Sequence, residues 1–159
     1  MKKKAVISLM AALLFIVGSS LAGNPVKNFD ELMKSLNEGK SMRMIVHYAD
    51  CQLISDNEIQ ERVPNAIGGM DIDVYEYFAE GAVRNKVAFV VFSTSKLIQN
   101  PIGDGYVYNY VKVKVSADNK VRITARYLNP ITFEEEMDEN FFSTINDGEE
   151  GSVYFYEQD

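Results

Sequence analysis

Two alternating stretches joined by three residues constrain this chain more than anything else in it. Val107, Val111, Val113 and Val115 fall on one face of a strand, and Val121, Ile123 and Ala125 on one face of the next. Side chains alternate with period two, so the two apolar sets share a face only if the loop between them has an odd number of residues. A three-residue loop, Ala117 to Asn119, meets that condition and puts Asn119 at a left-handed position that asparagine tolerates. The opposite face then carries Tyr108, Tyr110, Lys112, Lys114, Arg122 and Arg126. Such a hairpin demands a sheet with one buried face, and the rest of the chain has to supply the cover.

Part of that cover is an amphipathic helix. Asn28 followed by Glu31 makes a capping box, Phe29, Leu32, Met33 and Leu36 line one face, and Gly39 is the stop. Met42 to Ala49 returns to period two, with Met44, Val46 and Tyr48 on one face and Ile45, His47 and Ala49 on the other. Asp50 to Ile67 loses periodicity and reads as a long connection, a kind of segment that is often functional. Gly68 and Gly69 end it, and a strand from about Met70 to Ala79 follows. Lys86 to Ser93 is apolar on both faces and is predicted to be the central strand. The acidic run Glu134 to Glu139 reads as a short helix opened by Thr132 or as an irregular loop. A last hairpin, Phe141 to Asn146 with Ser152 to Tyr156, turns through Asp147, Gly148 and Gly151. The expected fold is α+β, mainly antiparallel β: one N-terminal helix and about seven strands in a curled sheet or small barrel.

The N-terminus predicts the compartment. Lys2, Lys3 and Lys4 precede the apolar run Ala5 to Val17, and Ser20 and Ala22 occupy the -3 and -1 positions of a cleavage site. A secretory signal peptide over residues 1–22 is expected, with the mature chain starting at Gly23 in the periplasm or outside the cell. The apolar run is too short to span a bilayer comfortably and no cysteine follows the cut, so no stable membrane anchor is expected. Residues 23–159 suit a single domain. With the three leader lysines removed, thirteen basic residues face 23 acidic ones, a net charge of -10. Such a surface disfavours nucleic acid.

The order of features resembles the VirK family of small secreted bacterial proteins. The residues that carry the likeness are the helix Leu32 to Gly39, Asp50 with Cys51, Gly68 to Ile72, and the hairpin strand and loop Tyr108 to Asn119. The resemblance implies an exported factor, of virulence or of the envelope, and names no activity. It also implies a histidine where this chain has Ser93 to Ser95, and a second cysteine where this chain has Phe142 to Thr144. A disulfide from Cys51 is therefore not available here.

His47 and Cys51 are the only histidine and the only cysteine. On a continuing strand they lie about 13 Å apart, at roughly 3.3 Å per residue. A dyad would need a sharp bend at Asp50; otherwise Cys51 is a buried structural thiol. One histidine and one cysteine do not make a zinc site, and Asp71 with Asp73 lacks a calcium loop and reads as a solvated face. No catalytic, cofactor-binding or metal residue is nominated, and no cofactor is expected. The face bearing Tyr108, Tyr110, Lys112, Lys114, Arg122 and Arg126 is the candidate partner-binding surface, with a solvated strand face as the alternative reading. The function predicted is a non-enzymatic binding or accessory protein, monomeric, with an unknown protein or small-molecule partner. The rival is a cysteine-dependent hydrolase using Cys51 with His47.

Overall fold

The computed structural model describes residues 23–158, so the expected signal peptide lies outside the described residues. The chain runs β1 (Asn24–Val26), α1 (Phe29–Asn37), β2 (Met42–His47), a 3-10 turn (Tyr48–Asp50), β3 (Gln52–Ser55), β4 (Glu58–Ile59), β5 (Ile67–Asp71), β6 (Tyr75–Phe78), β7 (Phe89–Gln99), β8 (Tyr106–Ser116), β9 (Lys120–Leu128), β10 (Glu135–Thr144) and β11 (Val153–Glu157). Two open sheets form. Four strands lie in the order β1-β11-β2-β5 and seven in the order β4-β3-β10-β9-β8-β7-β6. Every strand pair is antiparallel, as expected, and neither sheet closes into a barrel.

The β8–β9 hairpin has the predicted parity. Val115 pairs with Val121, Val113 with Ile123 and Val111 with Ala125, and Asn119 is left-handed at φ 63°. The inner face of the seven-stranded sheet meets Met42, Met44, Val46, Val153 and Phe155 of the four-stranded sheet in one apolar core. Phe92 and Phe155 touch edge to face across it. Helix α1 starts where the sequence puts it: the Asn28 side chain accepts the Glu31 N–H, and Gly39 at φ 73° ends it. The Phe29 N–H donates to Asn119 Oδ1 at 2.8 Å, which fixes α1 over the end of the core nearest the hairpin turn.

Five expectations are corrected. The connection Asp50 to Ile67 contains the β3–β4 hairpin, turned through Asp56 (φ 52°) and Asn57 (φ 63°), two consecutive left-handed residues of the kind that tight hairpins require. The strand expected over Met70 to Ala79 breaks after Asp71. Its halves, β5 and β6, join different sheets. The apolar strand Lys86 to Ser93 is β7, which begins at Phe89 and lies next to the sheet edge; β9 is central. Its outer apolar face is covered by side chains rather than by a layer, with Phe89 lying under Phe78 and the Lys114 ammonium. The acidic run is neither helix nor loop. It opens β10, because Arg126 on β9 faces it and binds Asp138 and Glu135 at 3.0 Å each. The last hairpin is likewise absent as a ladder: β10 and β11 lie in different sheets, and an isolated bridge pairs Ile145 with Val153.

Candidate functional site

The register of the seven-stranded sheet sorts its inner face into rows. Nearest the helix end, Phe92, Val113, Ile123 and Phe141 form a buried apolar row. The next row is Thr94, Val111, Ala125 and Glu139, and the next Lys96, Asn109, Tyr127 and Met137. Apart from Met137, side chains in these two rows are short or polar, and a gap remains between the sheets there. A cavity of about 530 Å3 results, walled on the other side by Met44, Met70, Gly68, Gly69, Ile67 and Tyr48. This volume is within the roughly 300–1,000 Å3 of small-molecule clefts.

Tyr48 sits at the inner corner because the chain turns there. The 3-10 turn swings its ring onto Phe141, with centroids 4.5 Å apart, and its N–H donates to the Ala66 carbonyl. Gly68 makes the space: a Cβ at that position would lie 2.8 Å from Tyr48 Cε2. The paired glycines therefore serve close approach inside β5.

Three of the ionisable groups that line the cavity have raised pKa values. Burial is the sole cause that pushes the Glu139 carboxyl above the usual carboxylate range. Burial, with the Glu139 charge, raises the Tyr127 phenol. Burial pushes Tyr48 up to about 12, with smaller contributions from Cys51, Tyr127 and Glu139. Apolar walls with a few convergent polar groups are the usual make-up of a ligand cavity.

The residues singled out from the sequence lie elsewhere. Cys51 is buried, as expected, and the 3-10 turn supplies the bend at Asp50. The bend brings the thiol to the carbonyl of His47 at 3.5 Å and to Ser152 Oγ at 3.2 Å. The His47 ring lies instead against Tyr154, with centroids 5.1 Å apart. Burial foremost, then the charge of Asp50, raises the thiol's pKa; hydrogen bonds with Ser152 and Ser143 offset part of that. Asp71, considered for calcium, is ion-paired with Arg43 at 2.8 Å. Among the described residues no cluster of three metal-ligating side chains occurs.

Tyr110, Lys112, Lys114, Arg122 and Arg126 share the outer face and, with Thr124, line a depression of about 280 Å3. Tyr108 stands apart, stacked on Phe133 with centroids 6.1 Å apart. Part of the basic charge is already used: Arg126 is bound by two carboxylates, and Arg122 donates to Asn140 Oδ1 at 2.9 Å. The cavity was not foreseen from the sequence. Its legible signals were the glycine pair and the connection Asp50 to Ile67, which contributes Pro64, Ala66 and Ile67 to the wall.

A comparison with curated protein sequences returns no match. Among solved structures, the crystal structure of lpg1832, a VirK family protein from Legionella pneumophila, matches with a TM-score of 0.63 at 14% identity, over 84% of this chain and 98% of that one. At that identity the likeness speaks for the fold. The family model described as "VirK protein" matches residues 25–133, a span that holds both sheets' cavity walls except Met137, Glu139 and Phe141. The chain, by that match, belongs to the VirK family.

Proposed function

We propose that this VirK protein is an exported, monomeric, non-enzymatic binding protein whose ligand site is the cavity between the sheets. The carrying observation is the cavity itself: about 530 Å3, walled by apolar side chains, with Tyr48, Tyr127 and Glu139 facing it. Export is supported by the basic and apolar pattern of residues 1–22. The non-enzymatic reading is supported by Cys51, whose thiol is held protonated by burial and is hydrogen-bonded away from the His47 ring. An accessory role at the cell envelope or a host surface fits an exported family member without a metal, nucleotide or triad motif.

Calorimetric titration of the mature protein with 1-octanol, an uncharged probe, tests the site. Saturable binding is expected in wild type and is lost in Ala125→Leu, which fills the floor of the cavity between Val111 and Glu139. No saturable binding, or equal binding by a folded Ala125→Leu variant, would end the reading. Export is tested by mass: the protein recovered outside the cytoplasm should begin at Gly23, and an uncleaved N-terminus there would contradict it.

A second surface is favoured by a separate observation, the depression lined by Lys112, Lys114 and Arg122 on the outer face. A partner held there would be lost by a folded Lys112→Ala, Lys114→Ala, Arg122→Ala variant in a pull-down from the native compartment. Retention of the partner would return the face to ordinary solvated strand. Arg126 is left intact in this variant, because removing it would leave Asp138 and Glu135 facing each other without a counter-charge.

A further inference from the structure

Glu139 gives the cavity a sign. It lines the same cavity as Tyr127 of β9 and Tyr48 of the 3-10 turn, pairs across the strands with Ala125, and burial alone raises its pKa. The other charged residue of the lining, Lys96 on β7, is exposed and has no part in the titration of Glu139. A carboxylate partly withdrawn from water disfavours its own ionisation, and an opposite charge brought to it within a few ångströms reverses that. The aromatic faces of Tyr48, Tyr127 and Phe141 attract cations as well, most strongly where water is excluded. Outside the cavity, a net charge of -10 over residues 23–159 concentrates cations near the protein and repels anions.

We infer that the ligand of the cavity is a hydrophobic ammonium compound, an alkyl- or arylamine whose charged nitrogen sits between Glu139 and the rings of Tyr48 and Tyr127 while its apolar body lies along Val111, Ala125 and Met137. This rests on the cavity being the binding site. Glu139 lies beyond residues 25–133, the part matched by the family model. Such an amine titrates near pH 10, like lysine, and is charged throughout the range in which Glu139 titrates.

The sign of the pH dependence follows. The ammonium ion binds the ionised carboxylate, so affinity is full above the free-protein pKa of Glu139 and is lost as pH falls through it. Tyr48 and Tyr127, the other titratable groups facing Glu139, are both shifted upward and stay neutral in that range, as does Cys51 behind Tyr48.

The test titrates octylamine, 1-octanol and octanoate into the mature protein. Octylamine is expected to bind at least about tenfold tighter than 1-octanol near neutral pH, with octanoate the weakest, as a desolvated charge pair requires. Glu139→Gln should erase the preference for the amine, so that octylamine and 1-octanol bind the variant within about twofold of each other, and its thermal unfolding reports that it folds. Wild type alone gives a second readout: octylamine affinity falls on acidification while 1-octanol affinity stays level. Equal binding of amine and alcohol, tightest binding of octanoate, an unchanged preference in Glu139→Gln, or a level pH profile for octylamine would each overturn the inference. Those results leave the cavity reading standing so long as 1-octanol binds and Ala125→Leu abolishes it. If no probe binds, both readings fall together.

Discussion

Cys51, the one cysteine of the sequence, is buried in the fold. Its sulfur lies within a chain of hydroxyls, Ser152 at 3.2 Å and then Ser143, which is 2.5 Å from Ser152. Alkylation of the folded protein by iodoacetamide at neutral pH is expected to run at least about tenfold slower than that of free cysteine, recovering on unfolding, because only the thiolate reacts and burial disfavours it. A rate above that of free cysteine would revive the hydrolase reading. Leu53 pairs with Phe141 and Gln52 with Phe142, so Cys51 and Ser143 come opposite each other one step further along. The resemblance implies a second cysteine in that segment, and Ser143→Cys is expected to form a disulfide with Cys51, detected as a mass lower by two hydrogens without reductant. Two free thiols would show that the strands diverge there. Tyr48 carries a pH prediction. Its pKa rises from 10 to about 12 on folding, so the native state keeps its proton longer than the unfolded state does. Stability from this group is whole below pH 10 and is lost between there and about 12, a loss on the order of 2–3 kcal/mol. Tyr48→Phe should lose that much less across the window in urea denaturation, and parallel curves would refute the assignment.

Among the elements, those with a strong period were legible and those set by turns and by partner strands were not. The valine alternation of β8 and β9 decided their register, since any other parity would bury arginine. Helix α1 followed from Asn28, Glu31 and Gly39. The β3–β4 hairpin escaped notice because its strands are short and half exposed, although Asp56 and Asn57 spelled its turn. Strand β10 could not be read from its own acidic start, since the Arg126 that stabilises it lies on another strand. Asn119 links two elements: its backbone is left-handed, its side chain accepts the Phe29 N–H of α1, and its carbonyl accepts the Ile145 N–H. Asn119→Ala is expected to cost about 2 kcal/mol through the lost cap and the strained turn, and Asn119→Gly to recover only the part due to the turn. Equal stability of all three in chemical denaturation would show that the contact to α1 contributes nothing.

For the whole molecule, the decisive fact is that two open sheets share one core but part company over two rows of the larger one. No window of sequence shows that. Met44 and Met70 on one wall and Val111, Ala125 and Glu139 on the other come from five strands, so the cavity exists only in the pairing. Its acidic, aromatic character was equally hidden, because Glu139 reads as one more carboxylate in an acidic run until the alternation of β10 turns it inward, away from Asp138 and Asn140. The central claim is that this inner space, rather than the basic outer face, is where the protein binds. Amide chemical shifts of the isotope-labelled mature protein during titration with octylamine test it most directly. The account predicts saturable changes centred on Thr94, Val111, Ala125, Tyr127, Glu139 and Gly68 to Met70, with Lys112, Lys114 and Arg122 unmoved; changes confined to those last three, or none that saturate, would contradict it.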